Sequence, residues 1–397
     1  MSLVFGYANP VLQKVLLELC FSEEAIDPLF RKPRLSILDQ ALKDDVLSGE
    51  QLRVLPLLYR STSLDGMSTE SVSKVVGMYK YTFCRNNLML HRLGQVQTLF
   101  TQAGFAPMIG LKGLPAIAYV QLGIGARPMA DVDVLIPHFH ERPEQAFTIL
   151  DESGFKLKGS GFRSVTMTSQ DKLEFDLHWY VHDWALGQDL VDRIIEYAKP
   201  QSLGSQLLRI PCVEHHLAHT IAHGVLTNTL IYDARWVFDT VAVIKRAENI
   251  DIDRFVEFAN RVMAPQRIRD ALSALATELP DTIAIDRAKL WRLYDAVSTN
   301  PKLVSWLYEQ APEPNLPAEQ RPRSPRLNPI KAMLVGYFWV PRYLRKRQGL
   351  SFLDYFRWLE AFPPRTHRNA LWHFTKKIFL RGPVFLYRVL APKISTK

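Results

Sequence analysis

The chain has 397 residues, of which 47% are apolar and 22% charged, and carries a formal charge of +9. That length suggests roughly two to three domains of about 150 residues each, and the composition is ordinary globular usage, which excludes a chain disordered along its length. Cys20, Cys84 and Cys212 are odd in number, far apart and without a CxxC spacing, which argues against a disulfide framework or a cysteine zinc site and for buried or neutral thiols in a reducing cytoplasm.

The first twenty residues hold no basic n-region and no clear small-residue cleavage site, so no signal peptide is expected. No run of about 18 apolar residues follows anywhere, so no spanning helix is expected either. Residues 11–105 read as helical, beginning after Pro10 with Leu12, Val15, Leu16 and Leu19 at helical spacing. A long helix is expected from Thr69 to Ala103, with Gly104 placed to cap it. Pro107–Leu111 then reads as a short buried strand, and Leu114–Leu122 as a helix. Asp131–Ile136 reads as a second strand, stopped by Pro137, which cannot donate to a ladder. Residues 141–153 read as a helix ending near Gly154. Ser164–Thr168 and Lys172–Trp179 read as strands, the second alternating cleanly. Strands interleaved with helices imply an α+β core with a mixed sheet, flanked by N-terminal and C-terminal helical regions. Residues 213–247 and 251–277 return to a helical pattern.

Asp131 and Asp133 stand at i, i+2, a spacing that sends both side chains to one face of a strand. Carboxylates about 6–7 Å apart at ~3.3 Å per residue repel unless a cation lies between them. Magnesium favours such a setting, with one or two carboxylates plus phosphate oxygens and water. Asp176, with Glu174 and His178 on the same strand face, is the best third carboxylate, and Glu174 the second. Such a set suits two-metal phosphoryl or nucleotidyl transfer. Lys112-Gly113 lies where a strand hands over to a helix, where free N–H groups favour an anion and the lysine adds charge for phosphate. Arg127 precedes the aspartates and is placed to reach the same triphosphate. Each element has a plainer reading: a DxD can be a surface turn, a Lys-Gly a simple turn, and Glu174/Asp176/His178 the wet face of a half-exposed strand. Only their ordered combination is specific.

That combination resembles a known family. The stretch from Gly104 to Pro137, with Leu111-Lys112-Gly113, Tyr119, Arg127 and Asp131–Ile136, is similar to the uncharacterised nucleotidyltransferase family of bacteria, a divergent branch of the polymerase-β-like superfamily. Leu173–Trp179 is similar to its third-carboxylate strand. Glu214–Ile244 is similar to its following helical region, with Arg235, Trp236 and Asp239. The resemblance covers roughly residues 70–250. It implies a polymerase-β-like nucleotidyltransferase core with Mg²⁺ held by Asp131, Asp133 and Asp176. It also implies an NTP contacted by Lys112, Gly113 and Arg127, and a nucleotidyl group moved to a hydroxyl acceptor: a small molecule, glycan precursor, peptide or protein. Lys112-Gly113 replaces the Gly-Ser typical of the superfamily, and the interval to Asp131 is longer, so the phosphate contacts are expected to differ. A catalytically degenerate module that binds a nucleotide or a partner is the alternative.

His215, His219 and His223 recur at i, i+4, i+8, beside His216. No HExxH accompanies them, which weakens a zinc reading. A polar seam facing the nucleotide or Asp239, and ordinary partly buried histidines, both remain open. Asp233, Arg235, Trp236 and Asp239 read as ion pairs and packing between helices.

Six prolines from Pro312 to Pro329 mark a linker. The expected organisation is a helical region at 1–105, the nucleotidyltransferase core at 106–200, a helical region packing on it at 201–310, a linker at 311–330 and a basic aromatic tail at 331–397. From Arg321 to Lys397, 17 Lys and Arg stand against Asp354 and Glu360, a balance of +15; with +9 for the whole chain, residues 1–320 carry −6. The tail suits an anionic membrane surface, nucleic acid less well, or helices packing on the core. The expected location is the cytoplasm, including the inner face of the membrane if the tail binds lipid.

Overall fold

The computed structural model describes residues 9–137, 139, 142–160, 164–181, 188–227, 235–247, 249–261 and 265–297. The linker and the basic tail lie outside the described residues, as does Asp233. Among the described residues, no helix is long and apolar enough to cross a membrane.

The N-terminal region is helical, as its spacing predicts. α1 (Pro10–Phe21) starts where Asn9 Oδ1 accepts the Leu12 N–H at 3.1 Å and Pro10 fills the first turn, a position where a missing N–H is no loss. α2 (Pro28–Lys43), α3 (Gly49–Leu52) and α4 (Leu55–Ser61) follow. α5 (Thr69–Gln102) is the long spine, 34 residues capped by the Ser68 hydroxyl. Gly104, at φ 73°, ends it: its N–H bonds Thr101 O, the Phe105 N–H bonds Phe100 O, and the Phe100 and Phe105 rings meet at 4.9 Å. This is the left-handed helix stop that glycine allows, closed by an apolar contact.

A seven-stranded mixed sheet lies against these helices. Its strands are β1 (Ile109–Gly110), β2 (Val132–Leu135), β3 (Lys156–Ser160), β4 (Ser164–Thr168), β5 (Glu174–His178), β6 (Lys199–Leu203) and β7 (Gln206–Ile210), in spatial order β3-β4-β5-β2-β1-β7-β6. β2 runs parallel to β5 and antiparallel to β1. Its four residues are buried on both faces, which is why its sequence is apolar apart from Asp133. α6 (Gly113–Val120) connects β1 to the loop before β2, and α7 (Pro143–Glu152) connects β2 to β3.

The sequence pattern gives no sign of β3, β6, β7 or α8 (Gln188–Tyr197). β3 and β6 are the sheet edges. β6 reads Lys-Pro-Gln-Ser-Leu with four exposed residues; edge strands carry proline and charge and so lose the apolar alternation. Of the helical stretch expected at 213–247, residues 228–234 lie outside the described residues. α9 (Val213–Ala222) passes into a π turn (His223–Thr227), and α10 (Arg235–Arg246) begins after the undescribed residues. The one expected at 251–277 is two helices, α11 (Ile252–Ala259) and α12 (Pro265–Glu278), with Pro265 opening the second; α13 (Arg287–Ala296) closes the described chain. The three cysteines are free: Cys212 is buried, Cys20 partly buried and Cys84, on α5, exposed.

α5 also pins the loop that delivers Asp131. The Asn86 side chain is fully buried. Its Nδ2 donates to Ile124 O at 2.7 Å and Arg127 O at 2.8 Å, and its Oδ1 accepts the Met129 N–H at 3.3 Å. Arg85 adds a bond to Ala130 O at 3.0 Å. A buried backbone group deprived of its partner costs about 1–3 kcal/mol. Asn86→Ala is therefore expected to lower the unfolding free energy by about 3 kcal/mol in urea titrations, whereas Asn87→Ala, one position along and half-buried, changes it by less than about 1 kcal/mol.

Candidate functional site

Leu111 donates its N–H to Asp133 O at 2.9 Å, which locks the turn after β1 against the middle of β2. The next residue, Lys112, takes φ 48°, ψ −103° to enter α6. A side chain in that backbone region costs on the order of 1–3 kcal/mol, held only because the surroundings over-determine it. The turn aims Lys112 Nζ at Asp133 Oδ1, 2.5 Å away.

β2 and β5 pair in parallel with Asp133 opposite Asp176 and Leu135 opposite His178. Paired residues of adjacent strands share a face, so the sheet brings three polar side chains together from two strands. Ligand atoms of Asp133, Asp176 and His178 all lie within 4.8 Å of one another. His178, fully buried, places Nε2 2.9 Å from Asp133 Oδ1. Asp176, half-buried, accepts the Thr166 hydroxyl at 2.6 Å. Asp133 is 3% exposed. Burial raises its carboxyl, but Lys112 and His178 outweigh that and hold it far below the usual carboxylate range. Glu174, the second candidate for the third carboxylate, instead pairs with Lys158.

Asp131 stands one residue before β2 and outside that compact group. Its carboxyl is pushed up to about 6, first by burial and then by the charges of Asp133 and Asp176, with Lys112 opposing. The field of the two neighbouring carboxylates reaches it all the same. Three carboxylates against one lysine leave an excess of negative charge in a partly dry site. A divalent cation relieves such an excess, so the donor set fits one.

Lys112, Asp131 and Asp133 floor a cavity of about 230 Å³, whose opposite wall is His219, Thr220, His223, Arg235, Trp236 and Asp239; Asp176 and His178 are not among the residues that line it. Arg127 also lines it, but its guanidinium grips Asp239 at 2.8–3.1 Å. Arg235 likewise reaches Glu50 at 3.2 Å. Gly113 lines the cavity too, though a Cβ there would first meet the Met129 side chain at 2.8 Å. The expected row of free N–H groups at this helix start is shorter than the sequence implies: the Leu114 N–H bonds Leu111 O, and Pro115 has none.

The histidines divide. His219 and His223 face the cavity. His215 turns to Tyr197, Phe258 and Glu257, and burial lowers its pKa. His216 stacks on Tyr119 at 5.5 Å, and burial lowers its pKa to about 4, so it is neutral near pH 7. None of the four joins a mutually close metal-ligand group among the described residues. His178 is the site residue that the reading of carboxylates passes over. Its signal is the i, i+2 spacing from Asp176, which the strand converts into a shared face.

Solved structures similar to this chain include ANT(2")-Ia in complex with adenylyl-2"-tobramycin, at 12% identity and TM-score 0.32, over 39% of this chain and 87% of that one. A nucleotidyltransferase-like protein from Paracoccidioides brasiliensis matches at 14% and 0.35, over 54% and 96%. JHP933 from Helicobacter pylori matches at 13% and 0.25, over 54% and 89%. No curated protein matches the sequence. A family model described as an uncharacterised nucleotidyltransferase covers residues 49–277. With more than half of its length under that match, and with the mixed-sheet α+β core in place, the chain belongs to the uncharacterised nucleotidyltransferase family.

Proposed function

We propose that the cavity transfers a nucleotidyl group from an NTP to a hydroxyl acceptor, with Asp131, Asp133 and Asp176 holding Mg²⁺. The observation that carries this reading is the register of β2 and β5, which sets Asp133 beside Asp176 with Asp131 inside the field of both. Magnesium on these carboxylates would neutralise triphosphate charge and draw the acceptor oxygen toward the α-phosphorus. The residues of the chain do the rest. Lys112 and Gly113, at the start of α6, receive phosphate oxygens. His178 fixes the Asp133 carboxylate through their hydrogen bond. Asp176 accepts the proton of the attacking hydroxyl. The acceptor oxygen bonds to the α-phosphorus as the bond to the bridging oxygen breaks, and pyrophosphate leaves. Arg127 serves by holding Asp239 and the far wall in place, in addition to lining the cavity. The wall formed by His219, Thr220, His223 and Trp236 is where the base or the acceptor rests.

A second reading has its own observation. Lys112 neutralises Asp133 directly, the contact a degenerate site would keep after losing its cation. In that reading the domain binds a nucleotide or a partner without chemistry. The basic segment 331–397 adds a membrane-surface role to either reading.

Asp133→Asn and Asp176→Asn are expected to lower pyrophosphate release by at least about 100-fold while leaving the circular dichroism unchanged. Wild-type rates in both variants refute the enzyme reading. A thermal upshift with NTP and Mg²⁺ but no pyrophosphate from any acceptor supports the degenerate one.

Asp131 gives a prediction on stability. Its native pKa of about 6 lies above the ordinary aspartate value of 3.8, so the native state holds the extra proton between these values. Its contribution is present below pH ~4 and is lost as pH rises through ~6. Asp131→Asn is expected to flatten that decline and to stabilise the protein at pH 7 by up to about 3 kcal/mol, one pKa unit being worth about 1.4 kcal/mol, while abolishing turnover. Saturating Mg²⁺ removes the difference in stability. Melting temperatures across pH 4–8 with and without Mg²⁺ measure both effects, and a variant less stable than wild type at pH 7 contradicts the charge-crowding account.

A further inference from the structure

Asp133 Oδ1 takes two donors at once, Lys112 Nζ at 2.5 Å and His178 Nε2 at 2.9 Å. A divalent cation on Oδ1 would share that oxygen with an ammonium, and one on Oδ2 would stand across the same carboxylate from it. The carboxylate is 3% exposed, so water screens the two positive centres less than it would at the surface and they repel. The backbone of the lysine is fixed by the Leu111–Asp133 bond and by the start of α6, so the ammonium moves by rotation of the side chain. Its four-carbon stem lets the ammonium follow another anion that comes within reach. Arg127 and Arg235, the other cations of the cavity, already have Asp239 and Glu50 as partners. Lys112 is therefore the cation in the cavity whose partner is itself a candidate metal ligand.

We propose that Lys112 couples cation binding to nucleotide binding: it holds Asp133 until the phosphates of an NTP offer it a second anion, so that a divalent cation binds with the nucleotide and poorly alone. This rests on the nucleotidyltransferase reading of the cavity. Linkage makes the coupling reciprocal, so the nucleotide gains from the cation the same factor that it confers. The lysine then has two roles in one place. Without nucleotide it supplies the positive charge that the crowded carboxylates need, and with nucleotide it binds phosphate.

The test uses the full chain with Mn²⁺ as the probe, by electron paramagnetic resonance and calorimetry, with and without α,β-methylene analogues of the four NTPs. Wild-type protein is expected to bind Mn²⁺ weakly alone and about tenfold or more tighter with an analogue, within the usual range of coupling between sites. Lys112→Gln is expected to bind Mn²⁺ alone about tenfold tighter than wild type, to bind the analogue more weakly, and to lose the coupling. Lys112→Gly removes the charge from a left-handed backbone position that glycine adopts without strain, so it reports on the charge even if Lys112→Gln folds poorly. Lys112→Arg keeps the wild-type pattern. If both charge-removing variants bind Mn²⁺ alone no tighter than wild type, while wild type binds it with analogue and Asp133→Asn does not, the coupling role of Lys112 is overturned and the metal site stands. If wild type binds no Mn²⁺ with or without analogue, the nucleotidyltransferase reading fails, and this inference with it.

Discussion

A carboxylate at 3% exposure in the middle of a sheet needs compensation, and the architecture around Asp133 supplies it from three directions. Its backbone carbonyl accepts Leu111, which draws the β1–α6 turn in and delivers Lys112. Its side chain accepts His178 from β5. The parallel pairing of β2 with β5 sets Asp176 beside it. Removing either donor would leave a buried charge underpaired, so the strained backbone of Lys112 and the burial of His178 are tied to the same group.

The shell beyond this floor is organised by polar groups as well. Asn86 on α5 fixes the carbonyls of Ile124 and Arg127, which sets the approach of the loop to Asp131. Arg127 then holds Asp239 on α10, and Arg235 on the same helix holds Glu50 on α3. These links join the spine, the loop and the helical wall around one cavity. They also occupy the arginines, which leaves Lys112 as the cation closest to the carboxylates. The charge balance of the floor is thus negative, whereas that of the wall is nearly neutral, with His216 uncharged behind it. A floor of that kind suits a cation with phosphates, and a neutral wall with aromatic and hydroxyl groups suits a base or an acceptor bearing hydroxyls.

Much of this is legible along the chain. The helical spacing and the glycine stop of α5 rest on local rules: 3.6-residue periodicity and the left-handed freedom of Gly104. The aspartate pair, the Lys-Gly turn and the alternation of β5 rest on the two-residue period of a strand. The strands without a signal are the polar edges β3 and β6, with β7 and α8 beside the second. There the exposed face removes the apolar pattern that betrays an inner strand. The π turn at His223–Thr227 is likewise silent, because it keeps the composition of the helix before it.

By itself the sequence determined the residue types of the site and the local elements that carry them: Lys112 at a strand-to-helix turn, Asp131 and Asp133 two apart, Asp176 and His178 two apart. These follow from neighbours in the chain. Only the tertiary structure decided that Lys112 and His178 converge on one oxygen of Asp133, that Asp131 stands outside the compact group, and that Arg127 reaches across to Asp239, 112 residues away. Strand register and the closure of the cavity depend on contacts between distant segments. Burial then decides which charge pairs with which, since in a dry site each charge takes the nearest opposite charge that the packing presents to it.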